Sequence, residues 1–312
     1  MRRVLHVGPC NTLGGMAKVI EILSQNPPHG WNTDILDSHS KGNILTKLLA
    51  WRKAQTYLKI HAGEFDIIHI HSAAGWSYKR KLGLARIAIK QKTQVIFHIH
   101  SGQFDQFAKQ RNNIKNELQS TNIVVLSNYW QEKLQPIIGD CTIINNPIDP
   151  NITNDDSISR KPKQLLLLGR PDPVKGHSFA FDIARRLQKE GWELVATGTE
   201  HSEAGIKGLG WVSEQEKLRL LQESTAMLIP SKFEGQPLVM LEALAAGCPV
   251  IASDKIPELP PCVTSATHED LDEWVKAINS VMQTDYLEYI NAHQIGHINQ
   301  KWSQIYADII DN

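Results

Sequence analysis

Short apolar runs alternate with longer amphipathic stretches through the first half of the chain. Arg2 to Gly8 is followed by Gly14 to Ser24, Thr33 to Leu36 by Ile44 to Ile60, and Asp66 to His71 by Tyr78 to Gln91. Gln94 to Ile99, Asn122 to Leu126 and Thr142 to Ile144 continue the series of runs. The runs have the length of strands and the stretches carry apolar residues at helical spacing. Strand and helix in alternation predict a parallel sheet covered on both faces. Such sheets bind ligands beyond the carboxyl ends of their strands.

The pattern restarts in the second half, with strands predicted at Gln164 to Leu168, Glu193 to Thr197, Thr225 to Pro230 and Cys248 to Ala252. Helices are predicted at His177 to Glu190, Ser213 to Glu223 and Leu238 to Ala246, the last opened by Pro237 and stopped by Gly247. A final helix, Gly296 to Ile310, places Trp302, Ile305, Tyr306 and Ile309 on one stripe and is expected to pack back across both domains. Between the halves, Asn145 to Pro150 and the polar residues through Lys163 read as a linker. The 312 residues exceed what one core usually holds. Two α/β domains follow, 1–156 and 157–294, with a crossover helix at 295–312.

Net charge is zero, but residues 1–150 hold 18 Lys+Arg against 10 Asp+Glu and the remainder 15 against 23. Attraction between unlike domains and a charged partner for the first half explain this equally well. Trp76 to Lys92 carries Lys79, Arg80, Lys81, Arg86, Lys90 and Lys92, no acid, and interleaved apolar residues. This helix suits an anionic membrane surface, with Trp76 and Tyr78 at the interface, or equally a solvated face over the sheet. No nucleic-acid recognition motif accompanies the charge. The apolar run after Met1 is too short for a signal peptide, and no apolar segment approaches the ~20 residues of a membrane span. Cys10, Cys141, Cys248 and Cys262 are scattered and suggest a reducing cytoplasm. The pairs His69/His71 and His98/His100 share faces of their strands, but metal binding is not expected.

Candidate chemistry concentrates between Ser231 and Ser253. Glu234 in the loop and Glu242 in the second helical turn frame a helix start. Free amides there attract phosphate, while a carboxylate accepts hydrogen bonds from a vicinal diol. A nucleotide sugar offers a diphosphate between two diol-bearing rings, which fits this frame.

The stretch resembles the signature of retaining glycosyltransferases of family 4, in which two Glu are separated by seven residues. The resemblance implies the GT-B fold, two facing Rossmann-like domains with parallel sheets, the first binding acceptor and the second the nucleotide sugar. It implies that Glu234 contacts the donor sugar and that Glu242 holds the ribose. It also implies that Arg170 and Lys175, in Gly169-Arg170-Pro171-Asp172-Pro173-Val174-Lys175-Gly176, neutralise the donor diphosphate. By the same likeness Gly14 and Gly15 lie over the donor phosphate, although taken alone they also fit an ordinary tight turn. His100, after the fourth strand, matches a His close to the transferred sugar; without the resemblance a strand-end His is more often structural. The implied catalytic residues are Glu234, His100, Arg170 and Lys175, and the implied donor-binding residues Gly14, Gly15, Arg170, Lys175, Glu234, Gly235, Gln236, Leu238 and Glu242. Gly235-Gln236-Pro237 departs from the usual Gly-Phe-Gly, Pro147 replaces a Gly after Asn146, and Thr197-Gly198-Thr199 replaces a Gly-x-Gly.

The expected activity is retaining transfer from a nucleoside diphosphate sugar to a glycan or lipid-linked acceptor, by front-face attack, without cofactor or metal. The expected setting is polysaccharide or glycolipid synthesis, in the cytoplasm or on the inner face of the membrane. The alternatives are a nucleotide-sugar epimerase of the same architecture and a catalytically idle nucleotide-sugar sensor.

Overall fold

The structure, a computed structural model, describes residues 1–39, 42–282 and 286–311. The chain divides into two compact units, Met1–Pro147 with His293–Asn312, and Ile148–Ala292. Composition places the boundary near Asp156; the contacts place it at Pro147. The final helix, expected to cross both domains, belongs with the first unit.

In the first unit the elements run β1 (Arg2–Gly8), α1 (Gly15–Gln25), β2 (Trp31–Asp37), α2 (Ile44–His61), β3 (Ile67–Ser72), α3 (Trp76–Lys90) and β4 (Gln94–Ile99). They continue with α4 (Phe104–Lys109), α5 (Ile114–Leu118), β5 (Asn122–Val125), α6 (Asn128–Ile138) and β6 (Cys141–Ile143). All pairings are parallel, in the order β2-β1-β3-β4-β5-β6. Side chains alternate between faces with period two. Leu5, Val7, Ile68, Ile70, Val95, Phe97 and Ile99 enter one core with Leu58, Tyr78 and Leu84 from α2 and α3. The other face carries His6, His69, His71 and His98, all buried.

The second unit comprises β7 (Lys161–Leu167), α7 (His177–Leu187), β8 (Glu193–Ala196), β9 (Ile206–Gly208), α8 (Glu214–Glu223) and β10 (Ser224–Ile229). After them come α9 (Leu238–Ala245), β11 (Val250–Ser253), β12 (Thr264–Ala266), α10 (Leu271–Asn279) and α11 (Leu287–Asn291). Its parallel sheet has the order β12-β11-β10-β7-β8-β9. β7 starts at Lys161, inside the stretch whose composition suggests linker. The chain closes with α12 (Ile295–Asp311), which buries Ile298, Trp302, Tyr306 and Ile309. In the first unit Trp302 and Tyr306 cover the histidine face, with ring centroids 4.6 and 6.4 Å from His69.

The basic segment is corrected in two respects. Tyr78 is fully buried and donates from its hydroxyl to Glu117 at 2.8 Å, so it does not face an interface. Lys81 is also buried and donates to the Ser38 hydroxyl, and burial pushes its ammonium down to about 7. A lysine stem is apolar enough to enter a core while its head finds a polar partner. Trp76, Lys79, Arg86 and Lys90 remain exposed on α3.

Two glycines permit the close approach of loops at the carboxyl edge of the second sheet. A Cβ at Gly176 (φ +72°) would lie 2.5 Å from the carbonyl oxygen of Pro230, beyond β10. One at Gly198 (φ +74°) would lie 2.2 Å from the carbonyl oxygen of Gly169, beyond β7. Both positions combine a backbone that L residues avoid with a contact that cannot yield. Gly176→Ala is therefore expected to destabilise the second unit by about 2–4 kcal/mol. Urea denaturation checks this, with the exposed Gly63→Ala as a control inside ~1 kcal/mol.

Candidate functional site

In the second sheet the strand order reverses between β7 and β10, the switch point where doubly wound sheets leave a crevice for ligand. The loop after β7 carries Arg170 and Lys175, and the loop after β10 carries Glu234. Asp172 shapes the first loop: its carboxylate accepts from the Val174 amide at 3.0 Å and its carbonyl from the Lys175 amide at 2.8 Å. The Lys232 amide donates to the Val174 carbonyl at 2.8 Å, joining the two loops. Across this junction Lys175 Nζ donates to Glu234 Oε1 at 2.6 Å. The expected phosphate cation and the expected sugar acid are thus partners. An ammonium has three donors, so Lys175 can keep Glu234 and still reach an anion.

Glu242 is buried on α9, and its Oε1 accepts from Lys217 Nζ of α8 at 2.8 Å. Burial works against the charge of Lys217, yet Glu242 and Glu214 prevail and hold its ammonium above the ordinary lysine range. Pro237 serves as the residue before the first helical turn rather than as its first member. No side chain caps α9, and the first amides of a helix have no partner within it. The Leu238 side chain is buried, which leaves its backbone as the part able to meet a ligand. Gly235 and Gln236 are half-buried in the same loop. Arg170 is the outlier: its side chain is 62% exposed and 3.8 Å from Asp172, and among the described residues it makes no ion pair with Glu234.

Sequence reasoning missed two residues that hold α9, Lys217 near its front and Arg160 at its rear, the latter at the amino edge of the sheet. Lys217 sits on a helix dense in charge, where its i,i+3 pairing with Glu214 at 2.8 Å looks like surface chemistry. Arg160 lies in the supposed linker. Its guanidinium donates to the carbonyls of Leu221 and Ser224 at 3.1 and 2.8 Å, of Ala246 at 3.4 Å, and of Gly247. It thereby holds the far end of α9 to the start of β10. Neither residue has a local pattern that announces its partner. Glu258, of uncertain role by resemblance, is exposed after β11 with φ +52°.

In the first unit Gly14 (φ +146°) and Gly15 are exposed at the start of α1, which no side chain caps. His100 directly follows β4; its amide donates to the Ser72 carbonyl at 2.9 Å. Its Nε2 lies 3.0 Å from His71 Nδ1, and His71 Nε2 lies 3.0 Å from His6 Nδ1. His69 Nε2 meets His98 Nδ1 at 3.2 Å. Burial pushes His6 and His100 down to about 3 and the other three well below the usual histidine range. His100 is therefore a neutral imidazole at neutral pH.

Residues 162–284, most of the second unit, match the family described as Glycosyl transferases group 1. Over 336 aligned positions the chain is 21% identical to an uncharacterised 41.2 kDa protein in the cps region of Klebsiella pneumoniae, covering 96% of this chain and 92% of that one. It is 28% identical over 170 positions to the amylovoran biosynthesis glycosyltransferase AmsK of Erwinia amylovora, covering 45% and 42%. The sucrose-phosphate synthase of Thermosynechococcus elongatus superposes with a TM-score of 0.75 at 14% identity, over the whole of both chains. This likeness concerns the fold, which is of the GT-B class. Among the described residues no helix is long and apolar enough to cross a membrane.

The histidine cluster makes stability depend on pH. An imidazole kept neutral by the fold takes up a proton on unfolding below about pH 6.5. Its advantage is complete above that pH and shrinks as pH falls towards 3, by about 1.4 kcal/mol per pH unit for each ring. Urea midpoints measured from about pH 7.5 down to about pH 5 should fall steeply for the first unit. His69→Leu should flatten that slope.

Proposed function

We propose that the chain transfers a sugar, with retention of anomeric configuration, from a nucleoside diphosphate sugar to a hydroxyl of a glycan or lipid-linked acceptor. The observation that carries this reading is the Lys175–Glu234 pair at the switch point of a sheet inside the matched family domain. In it, Lys175, Arg170 and the first amides of α9 hold the diphosphate. Glu234 takes sugar hydroxyls and Glu242, steadied by Lys217, takes the ribose diol. Negative charge develops on the departing nucleoside diphosphate, where preorganised cations lower the barrier by several kcal/mol. The attack is front-face, with the leaving phosphate taking the acceptor proton, and the diphosphate requires no metal ion. Gly14, Gly15 and His100 belong to the first unit, which receives the acceptor. The named role of AmsK in amylovoran biosynthesis supports polysaccharide synthesis as the setting.

The first unit also offers a surface for anionic lipid on the inner face of the membrane. α2 and α3 contain nine Lys and Arg and no acid, and all of these cations except the buried Lys81 reach the surface, which is therefore positive. They are joined by Trp51 Nε1 donating to the Arg80 carbonyl at 3.3 Å. Leu45, Leu48 and Leu49 are exposed at the start of α2, with Arg52 and Lys53 one turn on, and Trp76 is exposed at the start of α3. Apolar side chains that enter the interface beside cations match such a lipid surface. This patch replaces Trp76 to Lys92 alone as the expected contact.

Two experiments test the function. In a thermal-shift screen against UDP, GDP, ADP and TDP sugars, one donor at a hundred times its Kd should stabilise the chain by ~2.7 kcal/mol. With that donor, Glu242→Ala should weaken binding at least about tenfold, and Lys175→Ala should lower turnover by roughly 10²–10³. Unchanged turnover in both variants refutes the site. Sugar interconversion without acceptor would identify an epimerase, and binding without transfer or hydrolysis a sensor. For the surface, the double variant Leu48→Glu, Leu49→Glu should lose co-sedimentation with phosphatidylglycerol vesicles while keeping turnover on a soluble acceptor.

A further inference from the structure

Three neighbouring strands of the first unit bring five imidazoles to one face. β3 and β4 pair with His71 opposite His98, and β1 and β3 with His6 opposite His69. Within this group, His71, His98 and His100 each offer a ring nitrogen, all within 4.8 Å of one another. His6, His69 and His71 do the same deeper in the core. We propose that His71, His98 and His100 form a binding site for one divalent transition-metal ion of the zinc type, with a fourth position open towards the carboxyl edge of the sheet.

Four observations converge on this trio rather than on its neighbour. The first is spacing. His71 Nδ1 and His100 Nε2 lie 3.0 Å apart. Two nitrogens on a tetrahedral ion with bonds of ~2.0–2.1 Å stand roughly 3.3 Å apart. A shift of a few tenths of an ångström converts the hydrogen-bonded pair into a ligand pair. The second is an orphan: His98 Nε2 is buried without a hydrogen-bond partner among the described residues. A ladder of imidazoles that merely closed its own hydrogen bonds would leave this nitrogen unanswered, whereas an ion between the three rings engages it.

The third is the support behind the ligands. Metal-bound imidazoles direct their other ring nitrogen to a fixed partner, which sets the tautomer. His71 has His6 Nδ1 at 3.0 Å from its Nε2, and His98 has His69 Nε2 at 3.2 Å from its Nδ1. His69 Nδ1 in turn lies 3.3 Å from the Tyr306 hydroxyl of α12. The remaining two histidines thus act as the outer partners of the site. The fourth is access. His6, His69 and His71 are all fully enclosed, but His100 is only partly buried, at the end of its strand. An ion can enter there and keep a place for an exchangeable oxygen ligand.

The ligand set selects the ion. Neutral imidazole suits Zn²⁺, Co²⁺, Ni²⁺ and Cu²⁺, whereas Mg²⁺ and Ca²⁺ require oxygen donors. Burial keeps these rings unprotonated at neutral pH, the form that binds metal. No carboxylate belongs to the trio, so the bound ion retains positive charge and favours hydroxide or another anionic oxygen in the fourth place. This site shares His100 with the proposed sugar transfer but none of the diphosphate-binding groups of the second unit, and its test reads metal binding directly rather than turnover.

The test uses the full-length chain without an affinity tag, stripped with chelator and titrated with Zn²⁺ by calorimetry and with Co²⁺ by visible absorption. The expected result is one ion per chain, a higher Tm, and the intense visible bands of four-coordinate cobalt. His100→Ala should weaken Zn²⁺ binding by roughly 100-fold or more, beyond what loss of an outer partner alone usually costs. His98→Phe, which keeps the ring volume, should remove the cobalt bands. The exposed His29→Ala should leave binding unchanged. Absence of cobalt bands in the unmutated chain overturns the proposal, as does an equal Zn²⁺ affinity in the unmutated chain and His100→Ala. If His98→Phe does not fold, the His100→Ala comparison decides alone.

Discussion

The reversal of strand order between β7 and β10 is the constraint on which the candidate chemistry depends. Strands on either side of that point send their connecting helices to opposite faces, so the loops above them part and leave room for a ligand. Lys175 comes from one of these loops and Glu234 from the other, and the 2.6 Å contact between them spans the parting. Two opposite charges at that separation hold the loops in register without filling the space above. The glycines at 176 and 198 make the arrangement sterically possible, since any side chain there would press on a neighbouring carbonyl.

Much of this was legible from residue order, because strand and helix alternate with clear periods and the loop signature lies on a strand–loop–helix unit. The parallel sheets, the 177–187 helix and the loop positions of Arg170, Lys175 and Glu234 follow directly. What escaped detection has a common cause. β9 and β12 are three residues long, too short for any period to show. The helices α4 and α5 are nearly as brief. Lys81 and Tyr78 satisfy an amphipathic pattern equally well from inside or outside, and only the neighbours Ser38 and Glu117, brought in by tertiary structure, decide the matter. Lys217 and Arg160 belong to the same class: each has a partner 25 or more positions away, and long charged side chains give no sign of direction.

The histidines lie between these cases. Their i,i+2 spacing correctly places His69 with His71, and His98 with His100, on one face. It says nothing about the stagger between strands, and that stagger sets His71 opposite His98. A sheet face normally supplies aliphatic residues to the helix above it; here it supplies aromatic rings with polar edges, and α12 answers with Trp302 and Tyr306. The cost of drying so many imidazoles is met largely by pairing their nitrogens, and His98 Nε2, buried without a hydrogen-bond partner among the described residues, is conspicuous for that reason.

Arg160 carries a mechanical implication. It stands immediately before β7, the first strand of the second unit, and its guanidinium grips carbonyls at the end of α8, the start of β10 and the end of α9. One side chain thus ties the segment entering β7 to the rear of α9, the end opposite the Glu234 loop. Such a tether fixes the place of α9 relative to the entry segment, in the manner of a tiller fixed behind a rudder.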